Sequence, residues 1–181
     1  MSFITAGDSV ERMATYCRVE QSTFALLGGW TAEIDQPAAK LALSSAADHC
    51  AWRARRWFEM LPTAPPGPDA FLTPTEIELE TFDGLTGIVT GAGAHLSVAF
   101  DQLLPALRDA MRSHLDRTTS VADAPVRRLL RIAITDVTED LESAADAVRA
   151  VLGLPGEREG ADRVRADLMS AGVSFDPLFR A

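Results

Sequence analysis

Apolar side chains recur every three or four residues along most of this chain, and that spacing is typical of one buried face of an α-helix. The first such segment, residues 9–30, is predicted to be a helix capped by Asp8 or Ser9. Its buried stripe consists of Met13, Tyr16, Glu20, Thr23 and Leu27. No stretch of useful length alternates apolar and polar residues as a half-buried strand would, so the sequence predicts an all-α fold.

Prolines and glycines divide the sequence that follows. A second helix is predicted over residues 37–61, since Pro37 suits a first helical turn and the proline-rich stretch 62–68 stops the pattern. The turn between the first two helices is short, so they should be antiparallel neighbours. Residues 69–93 are predicted to form a long crossover along one side of a bundle. Residues 73–76 could open a short helix there, but the glycines from 84 to 93 are expected to interrupt it.

Two further long helices are predicted in the C-terminal half. The third spans residues 94–117, and Pro105 should kink or divide it. The fourth opens with Asp123 as its cap and Pro125 in its first turn, and it ends at residue 152. Its predicted stripe is Leu130, Ile134, Val137, Leu141, Ala145, Val148 and Leu152. Residues 153–181 should form a tail with one short helix, 161–171.

Size and charge limit the function classes. With 181 residues and a hydrophobic fraction of 47%, residues 1–181 are expected to form one domain with a full core. The net charge of −9 opposes binding to nucleic acid or to an anionic membrane surface. Residues 1–8 lack the features of a signal peptide, and no apolar run is long enough to span a bilayer. Cys17 and Cys50 are expected to be free buried thiols, and the expected compartment is the cytoplasm.

Two segments of the chain resemble a bacterial ferritin-like family. The first, residues 30–61, has in the family's order Pro37, Lys40, the run Ala47-Asp48-His49, Arg56 and Glu59. The second, residues 104–139, resembles the family's third helix and its Asp-x-Pro entry to the fourth, with Asp123, Pro125, Arg128, Leu130 and Asp136. The resemblance implies a four-helix bundle with a long crossover between helices two and three. In many relatives it also implies a carboxylate-bridged two-metal centre at mid-bundle.

The residues needed for such a metal centre are not all present. The centre takes a Glu-x-x-His pair from each of two helices, but Ala46 stands three residues before His49. The fourth helix offers Asp136 and Glu139 where the family has an acid and a histidine. We therefore predict no metal ligands and no cofactor.

Three polar residues are candidates for catalysis in a shared mid-bundle cavity: Glu20, His49 and Asp136. The short first turn brings Glu20 and His49 to a comparable depth, and Asp136 lies about as far along the fourth helix. Structural interpretations stay open for each residue. Glu20 could pair with Arg53 or Arg56, His49 could be a hydrogen-bonded core residue, and Asp136 could belong to a solvated acidic face. That face would continue through Glu139, Asp140 and Glu142.

Arginines and aromatic residues of the second helix suggest binding roles. Arg53, Arg55 and Arg56 are expected on a solvated face, where they could hold an anionic group. Arg53 and Arg56, together with Glu139, are the candidate substrate-binding residues. The neighbouring Trp52, Trp57 and Phe58 should pack the core or a dimer face.

The sequence leaves functions of different classes open. The first is a metal-independent enzyme or enzyme subunit that acts on a small molecule in bacterial secondary-metabolite biosynthesis. The second is a non-catalytic subunit that stabilises or scaffolds a protein partner. The third is a non-haem metal oxidase with an atypical site built from Glu20, His49, Asp136 and Glu139. A homodimer or hetero-oligomer is expected, because three tryptophans and a kinked third helix suggest more apolar surface than one bundle can hide.

Overall fold

The computed structural model describes residues 4–179, and those residues are helical apart from short connections, with no strand among them. The elements are α1 (Ala6–Glu33), α2 (Pro37–Phe58), α3 (Glu76–Ile88), α4 (Ala92–Ser97), α5 (Leu104–Arg117), α6 (Ala124–Leu152) and α7 (Glu157–Ser170). A π-helical segment, Val98–Leu103, joins α4 to α5 without a break. The predicted all-α fold is confirmed. Residues 1–3, where part of the signal-peptide prediction falls, and residues 180–181 of the predicted tail lie outside the described residues.

Four long helical segments pack around the core: α1, α2, α6 and the continuous helix formed by α4, the π-helical segment and α5. Contacts of His49 with Asp140 and of Arg53 with Asp136 show that α2 and α6 run antiparallel. The Tyr16 hydroxyl donates to the Ala110 carbonyl, on the face where α1 meets α5. The chain returns from the end of α2 to the start of α4 through residues 59–91, so α2 and α5 run in the same direction.

The first helix begins earlier than predicted, with Thr5 rather than Asp8 or Ser9 as its cap. Thr5 Oγ1 accepts a hydrogen bond from the Asp8 amide, and the Asp8 carboxylate accepts one from the Thr5 amide. The second helix ends at Phe58, a few residues before the predicted end at 61. Both differences concern helix ends, where the apolar pattern carries the least information.

The predicted crossover contains a complete helix, α3, which starts where the sequence suggested, and Gly84 and Gly87 lie within it without interrupting it. Thr75 caps it, and the Glu78 side chain completes the capping box by accepting from the Thr75 amide at 2.9 Å. The same carboxylate pairs with Arg18 of α1 at 2.8 Å, and both side chains are buried. This ion pair holds α3 against α1.

Pro105 does not divide the third long helix, which begins at Ala92 rather than 94. A proline lacks the amide that would bond to the carbonyl four residues earlier, here that of Asp101, and its ring clashes with that carbonyl. The wider turns of the π-helical segment Val98–Leu103 accommodate this local conflict. The helix therefore continues to Arg117.

The buried face of α6 differs from the predicted stripe. Ala145 is exposed, and Ile134 and Leu141 are only half-buried. The buried positions are instead Leu129, Leu130, Ala133, Val137, Asp140, Ala144, Val148 and Val151. The helix is rotated by about one residue relative to the prediction, which moves Asp140 from the expected solvated face into the core.

The start of α6 and the C-terminal helix differ from the prediction, whereas the two cysteines agree with it. Asp123 precedes α6, but its carboxylate accepts from the Thr119 amide at 2.7 Å and does not cap the helix. The C-terminal helix begins at Glu157, before the predicted 161. Cys17 and Cys50 are free and buried, as predicted. No helix within residues 4–179 combines the length and apolar character needed to cross a membrane.

Candidate functional site

Arg53 lies at the centre of a polar network that joins α1, α2 and α6. Its Nε donates to both carboxylate oxygens of Glu20, at 3.0 and 2.9 Å. Its Nη1 donates to Oδ2 of Asp136 at 2.5 Å and to Oδ2 of Asp140 at 3.1 Å. Its Nη2 donates to Sγ of Cys50 at 3.1 Å. Every guanidinium nitrogen therefore has an acceptor, although the side chain is completely buried.

Only three helices, α1, α2 and α6, supply the residues of this network, because helical spacing places several of them on one face. Cys50 and Arg53 are three residues apart on α2, and Asp136 and Asp140 are four residues apart on α6, so each pair shares a helix face. Glu20 occupies the buried stripe of α1. The antiparallel pairing of α2 with both α1 and α6 then sets these faces at one level of the bundle.

His49 closes the network at its outer edge. Its Nδ1 lies 2.6 Å from Oδ1 of Asp140, whose other oxygen accepts from Arg53. The Asp140 side chain is 4% exposed, whereas the imidazole is 44% exposed. Because Nδ1 is turned towards the buried carboxylate, the opposite edge of the ring, with Nε2, faces outwards. A carboxylate on Nδ1 fixes the tautomer and orientation of a histidine and leaves Nε2 available for proton transfer.

The network contains more acidic than basic groups. Glu20, Asp136 and Asp140 face Arg53 and His49, so one negative charge is in excess even when His49 is protonated. Burial raises the pKa of Glu20 to about 7, although the charge and hydrogen bonds of Arg53 oppose the rise. Burial also raises the pKa of Asp140, against hydrogen bonds and charges from His49 and Arg53. A proton retained on Glu20 would remove the excess charge near neutral pH.

The pKa of His49 responds to the same groups. Burial lowers it, but the hydrogen bond and charge of Asp140 and the charge of Asp136 outweigh burial, so the pKa is raised overall. His49 is thus protonated to a greater extent at neutral pH than a free histidine. Burial raises the pKa of the Cys50 thiol well above its ordinary value, with the Glu20 charge acting in the same direction. The thiol therefore stays protonated and is a poor nucleophile.

The structure brings together the three residues predicted to be catalytic, but it connects them through Arg53. Glu20 is fully buried, so no water-sized space adjoins its carboxylate. Its pairing with Arg53 matches the structural interpretation left open for it. Of the three residues, His49 and Asp136 reach solvent, with Asp136 at 26% exposure. An open cavity lined by all three, as expected from the sequence, is not the arrangement observed.

The arginines of α2 separate into different environments. Arg53 is buried, which contradicts the prediction that it shares a solvated face with Arg55 and Arg56, and it has no donor facing solvent for a substrate. Arg56 stays near the surface, where it pairs with Glu59 at 3.0 Å and its guanidinium carbon lies 5.7 Å from the centre of the Trp52 ring. A substrate-binding role for Arg56 stays a prediction.

A shallow groove runs along α6 beside the outer edge of the network. Asp136 and Glu139 line it, together with Arg131, Ile132 and Thr135. Glu139 is exposed and makes no ion pair with the residues of the Arg53 network. The substrate-binding role predicted for Glu139 stays a prediction. Glu139 and Asp136 line the same groove.

The residues present do not fit the two-metal centre implied by the resemblance. Ligand atoms of His49, Asp136 and Asp140 do lie within 4.8 Å of one another. However, Nη1 of Arg53 donates to both aspartates and supplies the positive charge that a metal would supply. Glu20, the candidate ligand from α1, is bound at both oxygens by Nε of the same arginine.

Sequence reasoning missed Asp140, which orients His49. A signal was present, because Leu130, Ala133, Val137, Asp140 and Ala144 recur at alternating three- and four-residue spacing. A similar signal exists for Arg53 on α2, where Ala39, Leu43, Ala46, Cys50, Arg53 and Trp57 form the buried stripe. Comparisons with known proteins gave no match to a protein-family model, to a curated protein or to a solved structure.

Proposed function

We propose that this protein is a ferritin-like bundle that works without a metal and transfers protons to or from a small molecule through His49. The contact between His49 and Asp140 carries the proposal. It combines a half-exposed imidazole with a buried carboxylate that fixes Nδ1 at 2.6 Å. The setting that we propose is bacterial secondary-metabolite biosynthesis.

The course of the helices supports the ferritin-like part of this proposal. Four long helical segments pack together, and a single long connection, residues 59–91, joins the second to the third. Bundles of the ferritin-like kind have one such crossover and place their functional groups on inward-facing positions at mid-bundle. Here the ion pairs of Arg53 occupy those positions. The proposed proton transfer therefore takes place at His49, on the outer edge of the network.

Each residue has a defined role in the proposed site. His49 exchanges the proton at Nε2, and Asp140 holds the ring in its orientation. Arg53 is a positioning residue, because it anchors the second oxygen of Asp140. Glu20 in turn holds Arg53. A substrate would lie along the groove on α6, next to Asp136.

The test is to incubate the purified protein with a metabolite extract and to follow every change in the extract by mass spectrometry. The wild type should convert a small molecule, and His49→Gln should lower the rate of that conversion by about 100-fold or more. Asp48→Asn is the matched control, since Asp48 is exposed on the same helix and takes no part in the ion pairs of the network. A His49→Gln variant that converts the same molecule at the wild-type rate would contradict the proposal.

A second candidate, the scaffolding subunit, rests on exposed apolar side chains of α2. Leu41 is 67% exposed and Trp52 is 45% exposed. Such residues could contact a second copy or another protein chain. The mass in solution of the wild type and of Trp52→Glu, measured by light scattering, helps to distinguish the scaffolding subunit from the enzyme. A complex that the glutamate dissociates, combined with no conversion that depends on His49, would favour the scaffold.

A further inference from the structure

A cleft of about 500 Å³ opens between the C-terminal half of α1 and helix α3. None of its lining residues belongs to the Arg53 network. Its volume falls within the range of roughly 300–1,000 Å³ that is typical of sites for small organic ligands. The cleft is therefore large enough to hold a ligand, and its lining determines which chemical class would bind.

The floor of the cleft is apolar and partly aromatic. Leu26, Trp30 and Val89 line it and are buried, and Phe82 lines it from α3. The Trp30 ring stacks on His95, with centroids 4.7 Å apart and the planes at 21°. This stacking holds the indole in one orientation, so the floor presents a fixed apolar surface to a ligand.

The rim of the cleft is acidic. Glu33 and Asp83 line it, and no lysine, arginine or histidine of residues 4–179 does. Asp83 makes no ion pair with any residue of the range 4–179. Nε2 of His95 lies 3.6 Å from Glu33, but burial lowers the pKa of His95 and so disfavours the charged ring that would compensate the Glu33 carboxylate. The rim therefore favours a positively charged group.

A glycine keeps one wall of the cleft open. Gly29 lines the cleft, and a Cβ added there would meet no atom within 4 Å. Close packing against another element therefore does not require glycine at this position. A glycine inside a helix costs about 1 kcal/mol relative to alanine. A larger side chain at this position would instead take up space in the cleft, because Gly29 lines it.

We infer that this cleft binds a small organic amine with an aromatic or branched aliphatic body. The apolar body lies on Leu26, Trp30 and Phe82, and the ammonium group points to the rim formed by Glu33 and Asp83. Aromatic faces and carboxylates both attract an ammonium group, whereas both oppose a carboxylate ligand. The inference does not depend on the role proposed for His49.

The test uses phenethylamine and related arylalkyl amines as probes, with phenylpropionate as the anionic counterpart of the same shape. Binding is followed through the indole N–H signal of Trp30 in NMR spectra and through calorimetry. The wild type should bind at least one amine with a Kd of about 1 mM or tighter and should bind phenylpropionate at least about 10-fold more weakly. Asp83→Asn combined with Glu33→Gln should weaken amine binding by about 10-fold.

Two adjacent glycines provide a matched pair of variants. Gly29→Leu fills the cleft and should abolish binding, whereas Gly28→Leu lies outside the lining and should leave it unchanged. Both substitutions raise helix propensity and meet open space, so both variants should fold. Equal affinity of the two variants for the amine would overturn the inference. So would a panel in which no amine binds, or in which phenylpropionate binds as tightly as the amine.

Discussion

Arg53 and Glu20 form an ion pair in which both side chains are completely buried, and one nitrogen, Nε, donates to both carboxylate oxygens. Trp57 Nε1 is a second donor to the same carboxylate, at 3.4 Å. Such a pair gains little over a well-packed apolar core, but the loss of one partner leaves the other charged and buried. The pair therefore decides both the stability of the bundle and its dependence on pH.

Replacement of Arg53 by methionine should lower the free energy of unfolding by about 3–5 kcal/mol, because Glu20, Asp136 and Asp140 all lose the guanidinium that pairs with them. Urea unfolding followed by circular dichroism measures this. Arg55→Met is the matched control: that side chain is 75% exposed, and its loss should change stability by no more than about 0.5 kcal/mol. Equal stabilities of the two variants would show that the network does not hold the helices together.

Glu20 should make the protein less stable as the pH rises through neutrality. Its pKa in the folded state is raised from 4.5 to about 7 by burial, so the folded state binds the proton more tightly than the unfolded state does. The resulting stabilisation is fully present below about pH 4.5 and is lost as the pH rises through about 7. The loss should be at most about 1.4 kcal/mol per pH unit within that window.

The measurement compares urea unfolding of the wild type and of Glu20→Gln between pH 5 and pH 8. The stability of the wild type relative to the glutamine variant should fall over this range. His49 contributes with the same sign, since its pKa is also raised, but it is present in both proteins. Glu11→Gln, an exposed position on the same helix, is the control. A difference that stays constant with pH would mean that Arg53 keeps Glu20 ionised throughout.

The titration of His49 should depend on Asp140. In the wild type its pKa is raised above 6.5, because the hydrogen bond and charge of Asp140 and the charge of Asp136 outweigh burial. Asp140→Asn removes the largest opposing contribution and should lower the pKa of His49. NMR titration of the imidazole signals measures both values. His114 is an internal reference, since burial lowers its pKa to about 4 in either protein. An unchanged His49 titration in the variant would show that Asp140 does not orient the ring.

Helical spacing predicted part of the network, because a short turn between antiparallel helices fixes which residues share a level. Glu20 lies on the predicted stripe of α1, and His49 and Asp136 lie at its depth, as the sequence suggested. The identity of the central residue was missed. Among the neighbouring arginines of α2, only Arg53 lies on the buried stripe.

The rotation of α6 shows why the remainder was not predictable from local pattern alone. Ile134 and Leu141 are apolar and suggest one phase of the helix, whereas the buried face passes through Ala133 and Asp140. A carboxylate lies inside a core only when a partner compensates its charge. That partner, Arg53, comes from a different helix, so a tertiary contact decides between two stripes of α6 that both have helical spacing.

Arg53 should keep metal ions out of the network. The wild-type protein should carry no stoichiometric iron or manganese, because the guanidinium of Arg53 lies against Asp136 and Asp140, the carboxylates that a metal would need. Arg53→Ala removes that cation and leaves the ligand atoms of His49, Asp136 and Asp140 within 4.8 Å of one another. This variant should be destabilised, and Mn²⁺ or Co²⁺ should restore part of its lost stability by binding the folded state only.

Elemental analysis of protein purified without chelator tests the wild type, and thermal unfolding with and without Co²⁺ tests the variant. Arg53→Lys is the control, since a lysine ammonium keeps a positive charge near the carboxylates and should exclude the metal. Combining Arg53→Ala with His49→Gln removes the imidazole ligand and should abolish the stabilisation by Co²⁺. Tightly bound metal in the wild type, or no response of Arg53→Ala to either ion, would contradict the view that Arg53 takes the place of a metal. If the metal ions stabilise only the alanine variant, Arg53 alone prevents this bundle from binding a metal.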